Sequence, residues 1–271
     1  MREIESRGGV TLLDDQAANV QVKVTNNPRE LADVDAVLVA VKTYATEDAL
    51  RPLDGVLAAT VPLVSLQNGI LARDQIAAVL GSQHPIALAP TTEAVTSEGP
   101  GLARHAGRGA TLIGWAAASA GSDAVLTALV ESLRRAGLAA GVTSPIEPHV
   151  WGKLIVNAAV NPVTALAGVA NGVLLSDPAL HNRAMTLARE AVAVAAAAGI
   201  RLPFGNAEAE VERVARTTGA NRSSMLQDLE RGRTTEIDAL NGEIVRRGHV
   251  FGVAAPENAR ICDEVRARMK A

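Results

Sequence analysis

A mostly apolar stretch in the middle of the chain predicts a buried helix. Residues 147–171 are apolar on every side of a helical projection, which is typical of a helix surrounded by protein. Three polar residues, Lys153, Asn157 and Asn161, interrupt this stretch at intervals of four. Because four residues advance an α-helix by one turn plus about 40°, the three side chains share one narrow stripe.

This polar stripe has two interpretations. In the first, Lys153 extends to solvent and the two Asn side chains bond local backbone groups. In the second, the stripe faces a ligand, with the lysine placed to give or take a proton and the amides placed to orient a substrate. A buried ammonium is costly unless it is paired or faces a wet cleft, so the rest of the chain must distinguish the two.

The first half of the chain alternates between strand and helix patterns. Short apolar runs rich in β-branched residues, such as 34–42, predict strands that are buried on both faces. Strands separated by helices of this length are typical of βαβ units and a mostly parallel sheet. The pattern predicts strands at 19–25, 34–42, 61–66, 85–90 and 111–115, helices at 43–57, 71–80 and 123–136, and a Gly-rich loop at 99–109.

Two polar residues end consecutive predicted strands. Lys42 ends the strand at 34–42, and Asn68 follows the strand at 61–66. Functional residues of parallel sheets lie at the carboxyl ends of strands, so both are predicted to line one crevice. The alternative is that each is a solvated loop residue.

After about residue 145 only helical patterns remain. Ser224 with Gln227 fits a capping box, and Ser224 and Glu236 are residue types expected at helix N-termini on local grounds alone. The chain is predicted to comprise an α/β domain, residues 1–145, and an all-helical domain, residues 146–271. Helices are predicted at 177–198, 206–216, 224–231, 236–247 and 256–269.

Composition excludes several function classes. Aromatic residues make up only 2% of the chain and the net charge is −3, which argues against nucleic-acid binding and against a polybasic membrane surface. The single cysteine, Cys262, excludes an internal disulfide, and no metal site is predicted. The N-terminus lacks the apolar run of a signal peptide, and residues 191–200, taken as the longest apolar stretch, are about half the length of a membrane span. These features predict a soluble cytoplasmic protein.

Seven short motifs, in this order and spacing, carry a resemblance that covers nearly the whole chain. The sequence resembles the ketopantoate reductase (2-dehydropantoate 2-reductase) family. The motifs are Leu66-Gln67-Asn68-Gly69, Trp151-x-Lys153-Leu154-x-x-Asn157 with Asn161-Pro162, Asn171-Gly172, Ser223-Ser224-Met225-Leu226-Gln227-Asp228, Thr235-Glu236-Ile237-Asp238, Asn241-Gly242 and Pro256-Glu257-Asn258.

The resemblance implies an NADPH-dependent reduction of the 2-keto acid ketopantoate to pantoate, in pantothenate and coenzyme A biosynthesis. It implies that Lys153 is the proton donor, which agrees with the chemistry, because an ammonium stabilises and protonates the oxygen as hydride reaches the ketone carbon. The implied substrate-binding residues are Asn157, Asn161, Asn171, Asn221, Ser223 and Ser224, and the implied cofactor-binding residues are Lys42, Asn68, Val95 (through its backbone) and Glu236.

The sequence departs from the family at its beginning. Such enzymes open with a strand, a G-x-G-x-x-G turn and a helix that bind the pyrophosphate, and this opening is not found here. We therefore expect an incomplete Rossmann-like fold and a chain that is a fragment or begins at an internal Met1. The choice of NADP over NAD follows from the family alone.

Two rival hypotheses keep the fold but change the function. One is a reductase of another branched 2-keto acid. The other is a non-catalytic remnant whose helical half serves as an interaction module, and a homodimer is one assembly that the sequence leaves open.

Overall fold

The computed structural model describes residues 2–13, 17–117 and 121–270. The chain divides into two compact units, one of Met1–Ala40, Thr46–Leu66 and Asp74–Ile146, the other of Val41–Ala45, Gln67–Arg73 and Glu147–Ala271. Two short segments from the first half, 41–45 and 67–73, therefore pack with the C-terminal unit.

The secondary structure follows the predicted change from alternating elements to helices. The strands are β1 (Val10–Leu13), β2 (Ala18–Val20), β3 (Val37–Val39), β4 (Leu63–Ser65), β5 (Ile86–Leu88), β6 (Ala94–Gly99), β7 (Leu102–Gly107), β8 (Ala110–Trp115) and β9 (Ala139–Val142). The α-helices are α1 (Arg2–Ser6), α2 (Thr46–Leu50), α3 (Ala72–Leu80), α4 (Asp123–Arg135), α5 (Glu147–Ala167), α6 (Pro178–Ala197), α7 (Ala207–Thr217), α8 (Ser224–Glu230), α9 (Glu243–Phe251) and α10 (Pro256–Lys270). Short 3-10 helices occupy Pro28–Leu31, Thr43–Ala45, Arg51–Leu53 and Asn171–Leu175, and a π-helix occupies Asp238–Gly242.

A five-stranded sheet in the first unit confirms the predicted mostly parallel architecture. Its order is β3-β4-β5-β8-β9, and every pairing except the antiparallel β5–β8 pair is parallel. Strand β4, which pairs with β3 and β5, is buried at all three positions, which explains why its sequence reads as a continuous apolar run.

A second sheet of four strands, in the order β2-β1-β7-β6, was not predicted. The Gly-rich segment 99–109, predicted as a loop, instead contains β7, which pairs antiparallel with β6. The glycines flank a tight turn at Pro100, where Gly101 adopts φ +71°, a conformation that suits residues without a side chain. The prediction was wrong because these turn glycines were read as a long loop rather than as the tip of a hairpin.

Two predicted helices are interrupted. The helix predicted at 43–57 consists of α2 between two 3-10 turns, because Pro52 has no N–H to donate to an upstream carbonyl. The helix predicted at 236–247 begins with the π-helix Asp238–Gly242, which α9 continues. The strand predicted at 19–25 is shorter than expected, since β2 ends at Val20.

Helix α5 forms the centre of the C-terminal unit and packs against α6, α7, α8 and α10. It is long and apolar enough to cross a membrane by length and composition, and 72% of its most apolar window is buried inside the protein. Pro162 lies inside α5 and has no N–H for the carbonyl of Ala158 four residues earlier. Asn241 Nδ2, from the π-helix, donates to that carbonyl at 2.9 Å.

Candidate active site

The polar stripe of α5 is largely withdrawn from solvent. Lys153 and Asn157 are half-buried, and Asn161 is buried. None of the three side chains makes a hydrogen bond or an ion pair with another residue that the structure describes. The stripe therefore combines an amine and two amides whose bonding capacity is left for a ligand or for water, as the second interpretation of the sequence requires.

Glu236 accepts hydrogen bonds on both of its carboxylate oxygens. Its carboxylate is buried, and Oε1 accepts from the backbone N–H of Thr43 at 3.1 Å and from the Thr43 hydroxyl at 3.3 Å. Its other oxygen, Oε2, accepts from Asn68 Nδ2 at 3.1 Å. These neutral donors fix the carboxylate in place without cancelling its charge.

Lys42 lies between two acids. Its ammonium is 2.7 Å from Asp228 Oδ2 and 3.5 Å from Glu236 Oε2, so its stronger hydrogen bond is to Asp228. Burial alone would lower the pKa of Lys42, but the hydrogen bond to Asp228 and the charge of Glu236 outweigh it and raise that pKa. Lys42 is therefore a permanent cation at neutral pH.

Lys153 has the opposite character. Burial lowers the pKa of its amine from 10.5 to about 8, and the negative charge of Glu236 opposes part of that fall. A pKa near 8 suits an acid that must be protonated at neutral pH and must release its proton readily.

The turn that carries Asn68 is held close to the π-helix. Gly69 adopts φ +85°, and a Cβ at this position would lie 2.6 Å from the carbonyl oxygen of Ala239. Only glycine meets both requirements, so the Asn68-Gly69 pair places an amide beside Glu236 through backbone contact.

Asn171 and Asn221 contact each other through the backbone. The N–H of Asn171 donates to the carbonyl of Asn221 at 2.9 Å, and Asn171 Nδ2 donates to Thr218 Oγ1 at 3.0 Å. The side-chain oxygen of Asn171 is buried and has no hydrogen-bond partner among the described residues. The amide is thus oriented with its acceptor unused, which is compatible with the predicted contact to a substrate hydroxyl.

The two predicted serines differ in environment. Ser223, not Ser224, is the N-cap of α8: its hydroxyl accepts from the N–H of Leu226 at 3.2 Å and donates to the carbonyl of Asn161 at 3.3 Å. The predicted capping box was wrong because Ser223 is the N-cap, so the N3 position of α8 is Leu226 rather than Gln227. Ser224 is exposed in the first turn of α8.

The family of this chain follows from sequence comparison. Residues 2–118 match the family model described as ketopantoate reductase PanE/ApbA, and residues 145–269 match the model of the C-terminal part of the same family. The chain belongs to the ketopantoate reductase family. The resemblance stated from the seven motifs is therefore confirmed.

Curated relatives agree with this membership. A 2-dehydropantoate 2-reductase from Archaeoglobus fulgidus is 37% identical over 253 residues, which cover 92% of this chain and 80% of the relative. A second, from Escherichia coli O157:H7, is 31% identical over 243 residues, covering 90% of this chain and 77% of the relative.

Solved structures share the fold. The ketopantoate reductase family structure from Ralstonia eutropha JMP134 superposes with a TM-score of 0.88 at 31% identity, over 99% of this chain and 87% of that one. A D-mandelate dehydrogenase in complex with NADH and anilino(oxo)acetate superposes with a TM-score of 0.89 at 25% identity, over the same shares. The predicted α/β fold with a helical C-terminal part is confirmed.

Within this family fold, the structure brings together four of the predicted site residues, Lys42, Asn68, Lys153 and Glu236, in the C-terminal unit. Val95 lies in the other unit, on β6, with 62% of its surface exposed. Its predicted contact with the cofactor stays a prediction.

Two residues of the cluster, Thr43 and Asp228, were not predicted. A signal for Asp228 exists in the sequence, because it lies among Met225, Leu226 and Leu229 on an amphipathic helix, where an acid on the buried side requires a cationic partner. The sequence does not identify that partner, since Lys42 is 186 positions away. Thr43 acts on Glu236 partly through its backbone N–H, which no residue type can signal.

Proposed function

We propose that this chain reduces 2-dehydropantoate to pantoate with NADPH, and that Lys153 is the proton donor. The observation that carries the proposal is a half-buried amine, with a pKa of about 8, whose ionisation is influenced by the charge of the buried Glu236 carboxylate. The choice of substrate is inferred from the relatives that are named 2-dehydropantoate 2-reductase.

The cofactor, Lys153 and Glu236 have different roles in the proposed ketone reduction. A reduced nicotinamide supplies a hydride when it is bound. Lys153 donates a hydrogen bond to the ketone oxygen and transfers its proton as charge develops there. Glu236 favours the ammonium form of Lys153 before the reaction, because its negative charge raises the pKa of the amine.

The polar residues that do not titrate bind the substrate in this proposal. Asn157 and Asn161 follow Lys153 along the same face of α5 and have unused donors and acceptors. Asn171, Asn221, Ser223 and Ser224 remain the predicted contacts to the substrate carboxylate and hydroxyls. Amides and hydroxyls are suited to this substrate because they bind its polar groups without changing charge near neutral pH.

The residues present fit the nicotinamide and ribose end of a dinucleotide. Asn68 keeps a side-chain oxygen without a partner among the described residues, which is an acceptor for a ribose hydroxyl or a carboxamide. Lys42 provides a partly exposed cation beside it. We assign no residue to the pyrophosphate, since the 271-residue sequence contains no G-x-G-x-x-G.

The direct test measures the consumption of NADPH by the purified chain with 2-dehydropantoate as substrate. We expect turnover with NADPH and a lower kcat/KM with NADH. A chain that binds NADPH, as followed by quenching of Trp151 and Trp115 fluorescence, yet consumes none with any 2-keto acid would contradict the proposal. Absence of both binding and turnover would contradict it as well.

A second candidate is the reduction of a different 2-keto acid. The D-mandelate dehydrogenase structure favours it, because its fold matches over 99% of this chain and its ligand, anilino(oxo)acetate, is itself a 2-oxo acid derivative. A kcat/KM series over 2-keto acids with and without a terminal hydroxyl separates the two. If the amides of the site hydrogen-bond that hydroxyl, kcat/KM for substrates that lack it should be lower by about 10⁴-fold.

A further inference from the structure

The charged cluster of the C-terminal unit contains an asymmetry that the reduction itself does not explain. Lys42 lies within reach of two carboxylates, yet its ammonium is 2.7 Å from Asp228 and 3.5 Å from Glu236. Asp228 is buried on α8, and its carboxylate has no other partner among the described residues. A buried acid is destabilising unless it is paired, so its presence here requires an explanation.

Glu236 is bonded mainly by neutral groups. The N–H and hydroxyl of Thr43 bond Oε1, and the amide of Asn68 bonds Oε2. These groups orient the carboxylate but leave its charge, which acts on Lys153. A cation drawn closer to Oε2 would cancel that charge, and Lys42 is the cation next to it.

We propose that Asp228 is a positioning residue, which holds the Lys42 ammonium away from Glu236 and so keeps the Glu236 carboxylate available to Lys153. This inference rests on the proposed role of Lys153 as proton donor. The titratable groups that face each other in the cluster are Lys42 from segment 41–45, Lys153 from α5, Asp228 from α8, and Glu236, which precedes the π-helix.

The alternative role for Asp228 is purely structural, as an anchor that ties segment 41–45 to α8. The two roles differ in what they do to Lys153. An anchor changes the stability of the fold, whereas a positioning residue changes the ionisation of an amine that it does not touch. In Asp228→Asn, Lys42 loses its preferred partner and moves toward Glu236, so the pKa of Lys153 should fall by about one unit.

The experiment measures the ionisation of Lys153 directly. The full chain is labelled with trace acetic anhydride between about pH 6 and 10, and the extent of acetylation at Lys153 is read by mass spectrometry of its peptide. The variants are Asp228→Asn, Lys42→Met and the double substitution. Thermal unfolding verifies that each is folded, and Asp228→Ser replaces Asp228→Asn if the latter does not fold.

The double substitution separates positioning from simple charge removal. If Asp228 acts through Lys42, the fall of about one unit that Asp228→Asn causes in the pKa of Lys153 should disappear in the Lys42→Met background. An equal fall in the pKa of Lys153 with and without Lys42 would mean that Asp228 acts by long-range charge. No fall in either background would mean that Asp228 is only a structural anchor. Either result overturns the inference.

The labelling requires no turnover, so this test is independent of the proposed reaction. A chain that reduces no keto acid would contradict the proposed function while the shift at Lys153 remained measurable. A chain that reduces 2-dehydropantoate but shows no dependence of Lys153 on Asp228 would reject only the positioning role. Asp228→Glu, which retains the carboxylate, should restore the ionisation of Lys153 toward that of the unsubstituted chain.

Discussion

At the residue scale, the ionisation of Lys153 links function to stability. Its pKa is about 8 in the folded chain against 10.5 for a free lysine side chain. Between these two values the unfolded chain binds more protons than the folded one, so the contribution of this group to stability rises as pH increases from about 8 to about 10.5. Below pH 8 the group opposes folding, because the buried ammonium is poorly solvated.

This linkage predicts the effect of removing the charge. Lys153→Met should increase the free energy of unfolding by about 1–3 kcal/mol at pH 7, because the apolar side chain avoids the cost of burying an ammonium. The gain should shrink as pH rises from about 8 toward 10. Urea unfolding of both proteins at several pH values provides the measurement. A gain in the free energy of unfolding that is constant across this range would rule out the ionisation of Lys153 as its source.

At the element scale, α5 depends on a side chain from another helix. Pro162 removes a hydrogen bond within α5, and Asn241 replaces it by donating to the carbonyl of Ala158. Asn241 also donates to Asn258 Oδ1 at 2.9 Å, which connects α10 to the same point. The carbonyl that Pro162 leaves without a donor within α5 thus lies between Asn157 and Asn161, within the polar stripe of α5.

A double-mutant cycle tests this connection. Asn241→Ala should lower the free energy of unfolding by about 1–3 kcal/mol, because it leaves the buried carbonyl of Ala158 without a donor. In a Pro162→Ala background, residue 162 regains an N–H for that carbonyl, so the same substitution should cost less. Equal costs in both backgrounds, measured by chemical denaturation, would show that Asn241 does not compensate for the proline.

The elements that the sequence predicted well are those whose patterns are set by burial. The apolar run of α5 and the buried strands β4 and β5 were predicted because their side chains contact protein on all sides. The β6–β7 hairpin was missed because its strands carry polar residues and its glycines were taken for a loop. The π-helix was missed because π and α periodicity differ too little over five residues.

At the scale of the whole molecule, the candidate site could be predicted only in part. The spacing of Lys153, Asn157 and Asn161 identified one face of one helix, and the ends of two predicted strands identified Lys42 and Asn68. The family resemblance then implied a cofactor-binding role for Lys42, Asn68 and Glu236. The pairing of Lys42 with Asp228 and of Thr43 with Glu236 joins residues 186 and 193 positions apart, which local patterns cannot reveal. The cytoplasmic location and the homodimer stay predictions.

The central claim is that Lys153 donates the proton, and a pH series of kcat/KM for 2-dehydropantoate tests it most directly. This kcat/KM should fall above pH about 8 in the unsubstituted chain, because a donor with that pKa becomes deprotonated. Lys153→Ala should lower kcat by about 10²–10⁴-fold and abolish this alkaline decline, with the fold intact. A variant that retains both the turnover and the decline of the unsubstituted chain would contradict the account.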